Sequence, residues 1–230
     1  GLGSLLFVST FRPTWDIAIF WHIRTGEWIV RNAAIPHTDI FSATDPARAW
    51  TPFQWLYEVL VYEVEARLGM TAVRQVHAAA FLVAFGLFYV LYRRGLPGRS
   101  PALLLLAATI VLSEDRLRVR PEAFNFLFTA VTLPVLATPR VRWRGLAVLA
   151  VVASLWANVH AGGAMWLLLA VFAVLGGRVF ARLAGRDDDD AETEGLAGVR
   201  GGLALAAAAV LPMLPMPGFV QGAWTSLAMY

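Results

Sequence analysis

The sequence predicts an all-α protein, a polytopic transmembrane helix bundle with interfacial helices in a large first external loop. The 230 residues are 58% hydrophobic and only 15% charged, whereas soluble domains are about 45–50% apolar. Several apolar runs approach the roughly 20 residues that a spanning helix needs. Most arginines stand in the short connections between these runs, where the charge that sets membrane topology is expected.

Residues 72–230 are predicted to form the bundle, with about six spans. Residues 1–10 are apolar but too short to span, so they are interpreted as the end of a truncated transmembrane helix. The abrupt ends of the chain favour a fragment of a longer protein. Some runs are short for a bilayer and would need tilt or local thinning. The predicted spans are 72–92, 101–112, 122–138, 145–157, 164–184 and 201–215.

Three arginine clusters predict the orientation, because alternation of the spans puts them on one side and the positive-inside rule makes that side the cytoplasm. The acidic segment 185–198 then becomes a solvated cytoplasmic loop. The expected location is the bacterial inner (plasma) membrane, with multiple passes. The clusters are Arg93, Arg94 and Arg99; Arg140, Arg142 and Arg144; and Arg178, Arg182, Arg186 and Arg200.

Composition excludes several classes of function. There is no cysteine, which removes disulfides, thiol nucleophiles and thiolate metal sites. The pI of about 9.8 does not predict a nucleic-acid partner, because the arginines are accounted for by topology. No phosphate-binding glycine loop is present. The predicted partner is the lipid bilayer.

Residues 11–71 are predicted to form the large external loop. Apolar residues recur at helical spacing in 53–68, and 19–30 is similar. Tryptophan and tyrosine are frequent here, as in helices that lie at a membrane interface. Residues 35–39 are typical of a turn between the two helices.

The first candidate site residues lie in this external loop. Asp16 stands where the first span would leave the bilayer, either as a general base or ligand in an external cavity or as the cap of a helix that starts near Ile17. His22 would orient a phosphate or sugar, or be structural. Glu58 stands at the edge of an apolar stripe, so it either turns inward or faces solvent.

Arg116, Arg118 and Arg120 lie on the outer side, against the positive-inside rule. Alternating arginines on an extended stretch point one way, which suits a phosphate because the guanidinium makes bidentate bonds to its oxygens. Lipid headgroups are the alternative ligand. Pro121 suits the start of the next helix.

Asn158 and His160 close the fourth span and would need partners if buried. They either line the same external cavity or hydrogen-bond neighbouring helices. His77, inside the first full span, is interpreted as structural. Four polar clusters distant in sequence are thus assigned to the external face of the membrane. The orientation is predicted from the cytoplasmic arginine clusters alone and does not use these residues.

At these residues the chain resembles the polytopic membrane glycosyltransferases of the GT-C superfamily, in a bacterial branch related to protein O-mannosyltransferase-like enzymes. The resemblance covers most of the chain in order. Ala18 stands where the branch has the second acid of an Asp-x-Asp pair, and Gln54 also stands where an acid is expected. The matching segments are Asp16, Trp21-His22, Gly26-Glu27-Trp28-Ile29, 35–42, Trp50, Trp55-Leu56-Tyr57-Glu58, Arg120-Pro121 and 156–160.

The resemblance implies an inverting glycosyltransferase on the periplasmic or extracellular side. A polyprenyl-phosphate-linked sugar would be the donor and a hydroxyl the acceptor. Asp16 would be the general base, while Arg118 or Arg120 would hold the leaving phosphate. His22, Asn158 and His160 would line the site. No cofactor is expected, since the loss of the second acid at Ala18 weakens the case for a divalent metal.

The main alternative is a non-catalytic integral membrane subunit or scaffold of a larger complex. It predicts a membrane protein partner and polar residues that pack against each other without a lipid-accessible cavity. A transporter would instead place polar residues near the bilayer midplane, whereas here they stand mostly at span ends.

Overall fold

The computed structural model describes residues 16–45, 48–185 and 196–217. Within these ranges the chain forms helices and no strand, apart from isolated bridges between Thr38 and Ala49 and between Val141 and Leu196. The all-α prediction is confirmed there. Residues 1–10, predicted to end a truncated helix, and most of the acidic loop lie outside the described ranges.

The described helices follow the predicted runs closely. The helices are α1 (Ala18–Asn32), α2 (Trp55–Gly95), α3 (Arg99–Leu112), α4 (Ala123–Leu136), α5 (Trp143–Val159), α6 (Ala161–Leu183) and α7 (Gly198–Val210), with single 3-10 turns at Glu114–Arg116 and Leu211–Met213. The boundaries differ from the predicted ones by a few residues because helix ends are set by capping and packing as well as by hydropathy.

Two described helices are long and apolar enough to cross a membrane. They are α2, with 41 residues, and α6, with 23 residues and a mean hydropathy of 2.0 over its most apolar window. The other apolar helices have 10–17 residues. Length and composition therefore identify fewer spanning helices than the six predicted runs.

The chain divides into two compact units. The first unit contains residues 1–130 and 158–160, and the second contains residues 131–157 and 161–230. All the candidate site residues named from the sequence belong to the first unit.

The first unit has an aromatic core built on α2. Phe81, Phe85 and Phe88 recur at a spacing that puts them on one helix face, and they are buried. The ring of Phe85 lies 5.6 Å from that of Phe126 on α4. Leu117, within the connection between α3 and α4, and Ala123, the first residue of α4, belong to the same cluster. The core therefore fixes that connection against α2.

Helix α2 contains a kink that joins two elements predicted separately. Gly69 has φ 78° and ψ 171°, a conformation that residues with a Cβ rarely adopt. The amphipathic run 53–68 and the apolar run 72–92 are consequently one helical segment with a bend. The part before the bend packs against α1.

Helices α1 and α2 approach closely at Gly26. A Cβ at this position would collide with the backbone carbonyl of Glu58 and would lie 2.8 Å from Cβ of Tyr62. Ile19, Ile23 and Ile29 bury the same face of α1. Gly26 therefore sets the distance between the two helices that carry the candidate site.

The second unit packs α6 against α7 through small residues. A Cβ on Gly202 would lie 2.7 Å from Cδ1 of Leu175. Arg178 of α6 donates to the carbonyl oxygens of Thr138 at 2.8 Å and Gly198 at 3.4 Å. Close helix approach over glycine is common between helices in membranes.

We expect Gly26→Ala to destabilise the protein. The new methyl group would meet backbone, which cannot rotate away, and such overpacking costs about 1–3 kcal/mol. The free energy of unfolding of the purified protein measures the effect. Gly86→Ala is the matched control, because nothing lies within 4 Å of its added Cβ; equal stability of the two variants would contradict the close packing at Gly26.

Candidate functional site

The carboxylate of Asp16 binds two partners at the start of α1. Oδ1 accepts a hydrogen bond from the Ala18 N–H at 3.0 Å, satisfying a donor that a helix start leaves without an intrahelical partner. Oδ2 accepts a charge-assisted hydrogen bond from Nε of Arg120. Only 11% of the Asp16 side chain is exposed. Asp16 is not the N-cap of α1, which is Ile17, but it binds the first helical N–H and forms an ion pair.

The ion pair determines the charge state of Asp16. The hydrogen bond from Arg120 holds the pKa of this carboxyl below its usual range and outweighs burial, which acts in the opposite direction. The Ala18 N–H and the charges of Arg120 and Arg118 add to the lowering. The same hydrogen bond raises the pKa of Arg120. These partners therefore favour the anionic form of Asp16.

The arginine stretch alternates between core and surface, as its sequence predicts. Leu117 and Val119 are buried, with 5% and 7% exposure, whereas Arg116 and Arg118 are exposed and Arg120 is half-buried. The stretch is not extended, which corrects the prediction. It begins with a 3-10 turn and continues through a turn in which the Arg120 N–H donates to the Arg118 carbonyl at 3.0 Å.

The three arginines share an open cleft of about 290 Å³. We call it the arginine cleft. Two carboxylates, Asp115 and Glu122, line it with Arg116, Arg118 and Arg120. Three cations and two anions give the cleft a net positive charge, which favours an anionic ligand.

Glu58 turns inward and pairs with His22. Glu58 Oε1 lies 3.1 Å from His22 Nδ1, and the side chains are 4% and 13% exposed respectively. Glu58 Oε2 is buried without a hydrogen-bond partner. The alternative of a solvated Glu58 is therefore wrong. Gly26, whose lack of a side chain lets α1 approach the Glu58 backbone, makes this burial possible.

His77 has the structural role that the sequence predicts. Its Nδ1 lies 2.8 Å from the Val73 carbonyl, which can only accept, so Nδ1 donates. Its Nε2 then accepts from the Tyr57 hydroxyl at 3.1 Å. Both ring nitrogens of His77 have hydrogen-bond partners. The contact with Tyr57 joins the parts of α2 on either side of the kink at Gly69.

Asn158 and His160 bind side chains of the first unit. The indole N–H of Trp55 donates to Asn158 Oδ1 at 2.7 Å. His160 Nδ1 lies 3.1 Å from Asn125 Oδ1. Both residues hydrogen-bond neighbouring helices, as one of the two sequence-based interpretations stated.

The predicted site residues converge, but only some of them line the cleft. Asp16 pairs with Arg120, and His22 pairs with Glu58. The arginines line the arginine cleft, whereas Asp16, His22, Glu58, Asn158 and His160 are not among its lining residues. Within the described residues, the arginine cleft therefore contains only part of the set that the sequence assigned to one cavity.

Comparisons with known proteins add no relative. No protein-family model, curated protein or solved structure matches this chain. The glycosyltransferase resemblance thus rests on the motifs quoted above.

The described histidine, aspartate and glutamate side chains are not clustered as a metal site requires. Among the described residues no cluster of three or more histidine, aspartate or glutamate side chains could hold a metal ion. The chemistry that the described site offers comes from guanidinium, carboxylate and imidazole groups.

Sequence reasoning missed Glu122 and Asn125. Glu122 lines the arginine cleft and Asn125 binds His160. The only available signal was position, since both follow Arg120 within about one and a half helical turns. Nearness to Arg120 in the sequence predicts that Glu122 and Asn125 lie in the same region of the fold. It does not predict which side chain each of them contacts.

We expect Asn158→Ala to lower the free energy of unfolding by about 1–3 kcal/mol, because the Trp55 indole N–H loses its acceptor in a partly buried position. Thermal unfolding measures the loss. Asn32→Ala is the control, since its hydrogen bond to the Trp28 carbonyl is exposed. Equal losses in the two variants would contradict the role of the Trp55–Asn158 contact.

We expect the Asp16–Arg120 pair to stabilise the protein above the unfolded-state pKa of Asp16, near 3.8. Because the folded-state pKa is lower, this stabilisation is lost as the pH falls through that lower value. Asp16→Asn should cost about 1 kcal/mol at pH 7, a value limited by solvent screening of the partly exposed Arg120.

The free energy of unfolding of wild type and Asp16→Asn, measured from pH 7 down to acid, checks this expectation. The difference between the two proteins should shrink toward zero in acid. A difference that is constant with pH, or grows on acidification, would contradict it.

Proposed function

We propose that this chain belongs to a membrane glycosyltransferase that transfers a sugar from a polyprenyl-phosphate donor to an acceptor hydroxyl on the non-cytoplasmic face. The observation that carries the proposal is the arginine cleft, in which Arg116, Arg118 and Arg120 face one open space. Planar guanidinium groups bind phosphate oxygens in pairs. The phosphate of the donor suits this cleft.

Exposed apolar side chains support a bilayer location. Leu104 of α3, Trp166 and Phe180 of α6 and Val151 of α5 have exposures of 71%, 68%, 68% and 60%. Only 17% of the most apolar window of α6 is buried. Water would leave this surface unfavourably hydrated, whereas lipid tails would cover it. The proposal therefore treats the apolar helices as membrane spans, the shorter ones with local thinning of the bilayer.

The arginine clusters support the proposed sidedness. If α2 to α7 each cross the bilayer, the connections α2–α3, α4–α5 and α6–α7, which contain the three arginine clusters or lie beside them, all lie on one side. The connection α3–α4, which contains the arginine cleft, lies on the other side. The positive-inside rule then puts the first three connections in the cytoplasm. The cleft would open on the side where a lipid-linked donor meets an external acceptor.

In the proposed reaction the acceptor oxygen attacks the anomeric carbon while the bond from that carbon to the phosphate oxygen breaks. The phosphate leaves with the electron pair, and Arg118 and Arg120 stabilise the negative charge that grows on it. A carboxylate takes the proton of the acceptor hydroxyl. The GT-C resemblance assigns that role to Asp16. The sugar of the donor would bind beside four further polar residues, namely His22, Glu58, Asn158 and His160.

One observation favours the alternative of a non-catalytic membrane subunit. The polar side chains away from the cleft pair with each other, as His22 does with Glu58 and Trp55 with Asn158. Such pairing suits a scaffold as well as an enzyme. The scaffold, however, does not account for a cleft lined by three arginines.

We expect Arg118→Ala to lower sugar transfer at least 10-fold to 100-fold, because a cation that stabilises the leaving phosphate is lost. Transfer from a panel of radiolabelled polyprenyl-phosphate sugars, in membranes containing the protein, measures the effect. Arg94→Ala is the control, because Arg94 is an exposed arginine in the last turn of α2, away from the cleft.

Two results would overturn the proposal. Equal transfer by Arg118→Ala and wild type would remove the phosphate-binding role of the cleft. An absence of transfer by wild type with every donor, together with no polyprenyl lipid detected by mass spectrometry in the purified protein, would favour the scaffold. Full activity of Asp16→Asn would rule out Asp16 as the base.

A further inference from the structure

We propose that Asp16 is a positioning residue that orients the Arg120 guanidinium toward the arginine cleft, so that its terminal nitrogens meet the donor phosphate. The inference rests on the proposed function, because it concerns how the donor is held. It gives Asp16 a role different from that of the base implied by the GT-C resemblance.

Arg120 stands between Asp16 and the cleft. Its Nε donates to Asp16, and Arg120 lines the cleft whereas Asp16 is not among the lining residues. Neither terminal nitrogen has a hydrogen-bond partner within the described part of the chain, and 40% of the side chain is exposed. One edge of the guanidinium is thus fixed and the other is open for a ligand.

The Asp16 carboxylate is held at both of its oxygens. Its oxygens bind the Ala18 N–H and the Arg120 Nε, and its side chain is only 11% exposed. An acceptor hydroxyl would meet a carboxylate that these two partners already hold in place. The Ala18 hydrogen bond fixes the carboxylate to the start of α1, which makes it a rigid support for Arg120.

Glu122 is the matched carboxylate for a test. It lines the cleft, and its Oε2 is buried without a hydrogen-bond partner. Within the described residues Glu122 forms no ion pair. Glu122 therefore places a negative charge at the cleft without a hydrogen bond to an arginine among the described residues.

The two carboxylates are expected to act in opposite directions on phosphate binding. Asp16→Asn removes the charge that fixes Arg120, so affinity for a phosphate should fall, about 5-fold to 10-fold, because the guanidinium loses its preorganisation. Glu122→Gln removes a negative charge that repels the phosphate, so affinity should stay the same or rise. If Asp16 acted only through its negative charge, both substitutions would increase affinity.

Farnesyl phosphate is a suitable probe, and its dissociation constant from the full chain can be measured by titration calorimetry in detergent. Asp16→Asn should have no further effect in an Arg120→Ala background, because Asp16 acts through Arg120. Arg120→Lys keeps the positive charge, so it should bind more tightly than Arg120→Ala, but it should still bind more weakly than wild type, since one ammonium cannot bond Asp16 and the phosphate as a planar fork does. Thermal unfolding of each variant identifies losses that come from misfolding.

An unchanged or higher affinity in Asp16→Asn, or an equal effect of this substitution with and without Arg120, would overturn the positioning role while leaving the proposed function intact. Arg120→Lys removes the planar fork that would contact both Asp16 and the phosphate. Full binding by Arg120→Lys would therefore also overturn the positioning role. Wild type that does not bind farnesyl phosphate would overturn the proposed function itself.

Discussion

The ion pair between Asp16 and Arg120 joins two parts of the chain that are 104 residues apart. It ties the start of α1 to the connection between α3 and α4. That connection is already held on its other side by Leu117 and Val119, which are buried. With apolar side chains fixed inward and Arg120 fixed by Asp16, the remaining arginines must face outward. The arginine cleft therefore depends on one charged contact and two buried apolar residues.

Arginine serves a different purpose in the second unit. Arg178 donates to two backbone carbonyls, those of Thr138 and Gly198, and so replaces hydrogen bonds that helix ends and loops lack. In the arginine cleft, Arg116 and Arg118 stay exposed. The same side chain is thus structural where it donates to backbone carbonyls and available to a ligand where it is exposed at the cleft.

The polar groups around the first half of α2 are mostly satisfied by each other. His22 pairs with Glu58, and Tyr57 binds His77. Buried polar groups without partners are rare and costly, yet oxygens of Gln54, Glu58 and Glu122 remain in this state. Among these residues Glu122 lines the arginine cleft, whereas Arg74 Nε is buried in the same state elsewhere on α2.

The sequence by itself determined where the helices lie and which arginines face outward, because hydrophobic periodicity reports which side of a segment leaves water. It also placed the candidate residues in one region of the fold. Only the tertiary structure decided the partners: that Glu58 turns inward beneath Gly26, that Arg120 binds Asp16, and that Glu122 shares the cleft. These contacts join residues distant in sequence, and their geometry depends on how closely whole helices approach, which no local pattern of residues encodes.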